Sequence, residues 1–481
     1  MERWHKNERL GEGILKKIQR LTVLFFCLMI LIPIVTFQFD SDAVSEIDNR
    51  MLAQNPFCKD VWTDGGDLTD KIEDYINDRI GLRDQLILGY TLLNDQLFGE
   101  LVHPSYCYGQ DGHVFFKMGE NIKYGEFHEV FADMIKDIQD YCEQRSVPFL
   151  FVFEPSKETI LSEYLPVGVQ RDDSWIETFF AALDERGIHY VNNTVVLQEK
   201  TNDGEIVFNQ KYDVGHWNDL GAFYGTNAIL SAMKKSFPGI QLNDLKEMEV
   251  TEKLETTLPI SAFPIEERVP ELKFSLEAVN MTDKFVNEIE LEPNFSAFGY
   301  YFNQKRSEDN SPKVLMFQGS HMNDYGVKYM INSLGTYTYV HNYQNIINFP
   351  YYYNIFRPEY VVFEVADRTL LDTYFNLEHM RAIRYNPPLE SIKLENGKVE
   401  EITLTLDMIL RESKGTLTKL SWDGNGDEEY VWAVLGDGYD MYKNDDGQYE
   451  LVITNEIWEK NKNNFLIIAQ TEKGILKYKF E

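Results

Sequence analysis

Cysteine is scarce: four residues in 481, at positions 27, 58, 107 and 142. Cys27 falls inside an uncharged apolar run, so Cys58, Cys107 and Cys142 remain, widely spaced. An odd set of that kind excludes a disulfide framework and has no zinc-ligand spacing. Gly- and Pro-rich tracts, internal repeats and low-complexity stretches are missing too, which argues against extensive disorder. Positive charge is short: 46 Lys and Arg face 78 Asp and Glu, a formal net charge of −32. A nucleic-acid or anionic-lipid binder needs a basic face, so both classes are excluded. A neutral or cationic partner, or solubility alone, is compatible with the acid excess.

Long apolar runs are absent with one exception. Leu21 to Phe37, "LTVLFFCLMILIPIVTF", carries no charge and reaches the roughly 17–25 residues that cross a bilayer. Lys16, Lys17 and Arg20 precede it; Asp40 and Asp42 follow. This asymmetry predicts a cytoplasmic tail (1–20), a transmembrane anchor (21–37) and an extracytoplasmic remainder, hence a single-pass cell-membrane protein. No small-x-small cleavage site follows at once, so an uncleaved anchor is expected.

What remains is long enough for two or three domains at about 100–200 residues each. Residues 38–105 read as a helical stalk, with apolar spacing from Leu68 to Ile80, an interruption at Gly81 and a second helix to about Phe98. From Tyr106 to 385, apolar strands such as "PFLFVFE", "KVLMFQ" and "PEYVVFEVA" alternate with amphipathic helices. That pattern predicts an α/β domain: a parallel sheet with helices on both faces and a site at the C-terminal strand ends. Residues 239–310 are acidic and weakly periodic, and are expected to form an excursion from this core. Residues 386–481 become alternating and turn-rich, the pattern of an all-β sandwich. "WDGNGDEE" (422–429) lacks the glycine and the distal Glu of a calcium loop and is expected to be a hairpin turn. No metal and no cofactor are expected.

Two stretches carry potential chemistry. In "VLMFQGSHM" a strand runs to Phe317, and Gln318, Gly319 and Ser320 turn the chain off its C-terminal end. A serine there exposes its Oγ, and neighbouring N–H groups can serve an oxyanion; a plain Gly-Ser turn is the alternative. "YDVGHWNDLGAF" (212–223) sets Asp213 three residues before His216. A carboxylate there can hold Nδ1 while Nε2 faces a serine; the alternative is a capping loop with His216 packed on Trp217. Asn218 or Asp219 is expected to cap the helix that follows. Lys157, after "FLFVFEP", is either a substrate-binding cation near the site or a solvated loop lysine.

Together these stretches resemble the alginate O-acetyltransferase-like proteins (the AlgJ/AlgX or DHHW group) of the SGNH hydrolase superfamily. "IDNRMLAQNP" (47–56), "YINDRIGLRDQL", "FEPSKETILSEYLP" and "PEYVVFEVADR" resemble further segments of that group, over about 40–375. The chain departs from it in having Asp213-x-x-His216 rather than Asp-x-His, and Gln318-Gly319-Ser320 rather than Gly-Asp-Ser or Gly-Thr-Ser. Asn342 and Asn345 stand where relatives often have a basic residue. The resemblance implies an SGNH-like fold and a catalytic set of Ser320, His216 and Asp213. It implies oxyanion or substrate contacts from Gly319, Asn342, Asn345, Lys157 and Trp217. It also implies acetyl transfer to an exopolysaccharide or cell-wall polymer, with a membrane-bound O-acyltransferase (MBOAT type) as acetyl donor and a glycan-holding C-terminal domain. An acetyl esterase with the same residues, or a non-catalytic scaffold that binds glycan or the acyltransferase, are the other readings.

Overall fold

The computed structural model describes residues 2–40, 44–45, 50–57, 68–117, 119, 121–259, 261, 263–392, 399–405, 408–444 and 446–480. Cys58 and positions 47–49 of the Asp-Asn-Arg segment lie outside the described residues.

The chain begins with helix α1 (Glu2–Val35), interrupted by no charge after Arg20. Its stretch Lys16–Val35 is, among the described residues, the one helix long and apolar enough to cross a membrane, and none of it is buried against protein. An anchor and a signal segment share that length and composition. Helices α2 (Leu68–Arg79) and α3 (Arg83–Phe98) follow. Their break has a steric cause. A Cβ on Gly81 would lie 1.9 Å from Thr36 Oγ1, so only glycine lets the turn pass this close to the end of α1.

The central domain runs through α4 (Glu126–Gln144), β1 (Phe149–Glu154), α5 (Ser174–Glu185), β2 (Tyr190–Asn192), α6 (Asp219–Met233), β3 (Val279–Asn280), β4 (Phe298–Phe302), β5 (Lys313–Gln318), α7 (Val327–Ser333), β6 (Thr336–His341), α8 (Phe349–Phe356) and β7 (Tyr360–Ala366). The strands form one sheet in the order β2-β1-β7-β5-β6-β4-β3. Along each strand the side chains alternate between two cores. On one face Phe149, Phe151, Phe317 and Phe363 pack with Phe131 of α4, Phe179 of α5 and Phe349 of α8. On the other, Leu150, Val152, Met316 and Val362 pack with Ile229 of α6 and Tyr329 of α7. Burial on both faces is why these strands read as unbroken apolar runs.

The sheet is mixed rather than wholly parallel. β2, β1, β7, β5 and β6 are parallel, whereas β4 and β3 pair antiparallel beyond β6. Both come from the stretch 239–310, which is therefore part of the core as well as an excursion. It was illegible because β3, at the sheet edge, has two residues and β4, beside it, has five, too few to carry a clear period. The same stretch supplies the hairpin Glu249–Thr257 with Pro264–Lys273.

The C-terminal region is β-rich, with two sheets among the described residues, one of five strands and one of four. They share a core of Leu420, Leu451, Val431 and Ile467, closed by Trp458 of the helix Asn455–Asn461. Trp422 and Glu428 end and begin strands of different sheets, so 423–427 crosses between sheets instead of closing a hairpin.

This region is bolted to the central domain by buried polar bonds. Tyr141 of α4 and Arg145, the residue just past its end, both donate to the carboxylate of Asp440, Arg145 Nη2 at 2.9 Å. Asn354 of α8 donates to Asp440 O at 2.8 Å. Removing one partner of a buried ion pair strands the other in low dielectric, at a cost of about 3–5 kcal/mol. Asp440→Ala is therefore expected to lower the unfolding free energy by about that amount in urea titration. A loss below about 1 kcal/mol would show that apolar contacts alone hold the two regions together.

Candidate active site

The loop 208–217 is built around an unusual backbone. Asp213 has φ +48°, the left-handed region that an L residue occupies at a cost of roughly 1–2 kcal/mol. The turn directs its carboxylate onto the ring three residues ahead: Asp213 Oδ1 lies 2.7 Å from His216 Nδ1. The loop is held at three points. Glu267 accepts the N–H groups of Gln210, Lys211 and Tyr212 at 2.6–2.8 Å. Lys157 Nζ donates to Gln210 O at 2.8 Å and to Val114 O at 2.7 Å. Arg368 donates to Gly215 O. A Cβ on Gly215 would meet Phe116 at 2.8 Å, so the close approach requires glycine there. Asn218 then caps α6, its Oδ1 accepting from Gly221 N–H at 3.0 Å.

Ser320 arrives from the sheet. β5 ends at Gln318, and the buried N–H of Gly319 donates to Glu364 Oε2 of β7 at 2.5 Å. From Ser320 the chain is helical, through a π turn (Met322–Gly326) into α7; such turns recur at functional sites. Trp217 Nε1 donates to His321 O at 2.8 Å, tying the histidine loop to the serine turn. The result is a row in which His216 Nε2 lies 2.8 Å from Ser320 Oγ. With the proton on Nδ1, the ring N–H donates to Asp213 and Nε2 accepts from the serine hydroxyl. His216 and Asp213 keep 18% and 14% side-chain exposure, so the row is reachable from solvent.

Two charged residues join the row that the sequence reading passed over. Asp324, half exposed on the π turn, has Oδ2 at 3.4 Å from His216 Nδ1. Burial raises its carboxyl above the usual range, against the attraction of His216. Arg368 lies just beyond β7, and its charge acts on Asp324, His321 and Glu364. An Arg one turn past a strand end was visible in sequence, but its direction was not. Asp213, His216 and Asp324 also bring three ligand-type atoms within 4.8 Å of one another, although Nδ1 and the Asp213 oxygen already bond to each other.

Several expected contacts sit elsewhere. Lys157 is neither solvated nor at the site: it is fully buried over the Phe115 ring, and burial lowers its pKa to about 7. Trp217 is fully buried and braces the turn instead of meeting substrate. Asn345 spends both amide N–H groups on Phe295 O and His341 O and is no oxyanion donor. Asn342 is fully buried beside Gly319 and donates to Glu364 O at 2.6 Å. The Gly319 N–H is already committed to Glu364. A continuous apolar strand hides such polar partners, because burial pairs them only after folding.

Behind the serine turn lie two fully buried carboxyls, Glu364 and Glu154 of β1. Asn193 Nδ2 donates to both oxygens of Glu154, at 2.8 and 3.0 Å. Burial raises Glu154 well above the carboxylate range, and raises Glu364 from 4.5 to about 7. Between these two values the folded chain holds a proton that the unfolded chain has released. Stability contributed by Glu364 is thus full below about pH 4.5 and is lost as pH rises through about 7. Glu364→Gln is expected to flatten that decline in a series of melts across this range; an unchanged slope would mean that Glu364 is not its source.

Residues 108–260 match the family model "SGNH hydrolase-like domain, acetyltransferase AlgX". The matched stretch holds Asp213 and His216 and ends before Ser320. No curated protein matches the chain. Among solved structures, it is similar to Bacillus cereus PatB1 bearing a sulfonyl adduct, at 16% identity and a TM-score of 0.42, over 55% of this chain and 96% of that one. It is also similar to the O-acetyltransferase domain of Pseudomonas putida AlgJ, at 13% identity and a TM-score of 0.39, over 58% and 99%. A further likeness is to Pseudomonas aeruginosa AlgX, at 10% identity and a TM-score of 0.35, over 72% and 86%. Through its segment 108–260 the chain is thus similar to the AlgX-type SGNH hydrolase-like domain.

Proposed function

We propose that the chain is an extracytoplasmic O-acetyltransferase that acylates a polysaccharide or cell-wall polymer through Ser320. The observation that carries this reading is the row Asp213–His216–Ser320, with hydrogen bonds of 2.7 and 2.8 Å. Ser320 Oγ attacks the acetyl carbonyl while His216 Nε2 takes its proton, and Asp213 steadies the imidazolium. The donor's leaving oxygen takes that proton, and an acetyl-Ser320 ester remains. A sugar hydroxyl then attacks the ester, gives its proton to His216, and Ser320 recovers it as the acetylated sugar leaves. Water in the sugar's place gives the esterase reading.

The oxyanion is assigned to N–H groups at Ser320, where the helical run begins. The first N–H groups of a helix lack intrahelical acceptors and its dipole favours negative charge. Arg368 adds a cation on the same side. Asp324 supplies a second carboxylate to the imidazolium. In this proposal residues 1–20 are a cytoplasmic tail, 21–37 a retained anchor and 38–105 a stalk. Residues 106–385 are the SGNH-like catalytic domain and 386–481 a glycan-holding β domain. A multipass MBOAT-type acyltransferase hands over the acetyl group at the membrane.

The full-length protein should cleave a chromogenic acetyl ester and carry one acetyl group when quenched early. Ser320→Ala and His216→Ala should each lower turnover by about a thousandfold or more, and the double variant should be no worse, because members of such a set act as a unit. Folded Ser320→Ala protein with turnover within about threefold of the parent would overturn the enzyme reading in favour of the scaffold.

A further inference from the structure

We infer that the outward face of α3 is a lipid-binding surface that lies on the outer leaflet beside the end of α1. Leu82, Leu86, Tyr90, Leu93 and Leu97 follow one another at helical spacing, and with Phe98 they are 43–69% exposed. The other exposed positions of α3 are Gln85, Gly89 and Gln96. An exposed face of four turns without a charge is out of character for this acidic chain. On α2 the exposed positions include Asp70, Glu73 and Asp74. Arg83, Asp84 and Asp95 of α3 all sit off the outward face.

The inner face of α3 is accounted for. Leu88 and Leu92 pack against the cluster that contains Leu101, Tyr106 and Val214. Thr91 Oγ1 donates to Val102 O at 2.6 Å, and Tyr108 OH donates to Asp95 at 2.8 Å. The outward stripe is thus surplus to the fold. Its position names the occupant. Gly81 N–H donates to Pro33 O, and Gln38 N–H to Arg79 O, both at 2.9 Å. Pro33 lies within the apolar span that ends at Val35, so α3 starts level with the last turn of that span. A helix with one apolar, uncharged side at that height buries the side in the interface between headgroups and acyl chains. Leucine and tyrosine suit that boundary, and the lack of basic residues points to hydrophobic contact with zwitterionic lipid, not to anionic headgroups.

The consequence reaches the candidate site. Val214, a member of the cluster that α3 packs against, follows Asp213 directly. That cluster joins α3 to the Asp213 loop, so an α3 that lies on the lipid holds the site near a donor that emerges from the membrane. The inference rests on the reading of α1 as a retained anchor.

The test uses full-length protein in phosphatidylcholine vesicles, with its own cysteines changed to serine and a nitroxide on Leu86→Cys, Leu93→Cys or, as reference, Glu73→Cys. Flotation with the vesicles reports the anchor. Collisions with oxygen, which enters lipid, and with a nickel chelate, which stays in water, report α3. Labels at 86 and 93 are expected to favour oxygen, with the ratio inverted at 73. Floating protein whose labels at 86 and 93 meet the nickel chelate as readily as the label at 73 would overturn the inference and leave the anchor standing. Labels shielded from both reagents would overturn it in favour of a protein partner or a second copy. Protein that stays out of the lipid fraction would remove the anchor and the inference together.

Discussion

His216 has two ring nitrogens, and each is held by a different part of the chain. Asp213 reaches Nδ1 from three residues away; Ser320 reaches Nε2 from the end of a sheet strand more than a hundred residues later. An imidazole is rigid, so both contacts form only if loop 208–217 and the turn 318–321 keep their separation to within a fraction of an ångström. The neighbouring structure follows from that demand. Glu267, Lys157 and Arg368 grip the loop by its backbone. Glu364 grips the turn through Gly319, and Trp217 links the two through His321 O.

Such grips are costly. Lys157 is buried against carbonyl oxygens, with no carboxylate in hydrogen-bond contact among the described residues, and burial lowers its pKa to about 7. Glu364 Oε1 has no hydrogen-bond partner among the described residues. Asp213 occupies a left-handed conformation. Each departs from what a stable core prefers, and departures of this kind concentrate where geometry matters more than stability. The aromatic layers on both sides of the sheet offset them, with Phe151, Phe317 and Phe363 on one side and Tyr329 and Tyr337 on the other.

What could be read in advance follows the range of the interaction. The parallel strands were legible because burial on both faces leaves unbroken apolar runs. Asp213, His216 and Ser320 were legible as residue types in a pattern, and the fold brings their side chains together. Lys157, Asn342, Asn345 and Trp217 were legible only as polar or aromatic residues near strand ends. Their partners are backbone atoms supplied by folding, and nothing local marks a lysine that will bond Val114 O and Gln210 O. Asp324 was hidden for a related reason: a π turn shifts the helical register by one residue and swings it back over His216. Edge strand β3, of two residues, and β4 beside it, of five, were missed because strands so short carry little periodic signal.

Under the proposed acyl transfer, charge at the mouth of the site limits which acceptor can enter. At physiological salt, charges more than about 8 Å apart are largely screened, so the excess of acids elsewhere on the surface matters little to a polymer entering the site. What matters is the mouth, where Asp213 and half-exposed Asp324 share one imidazole nitrogen and Arg368 stands beside them. While the ring is neutral, the two carboxylates leave the mouth net negative with a single guanidinium to answer them. A polyanion would meet repulsion there before it reached Ser320, whereas a neutral sugar hydroxyl would meet none. Once the imidazolium forms, the same carboxylates stabilise it. An arrangement suited to a charged transition state thus selects, as a by-product, for an acceptor that is uncharged at the point of attack.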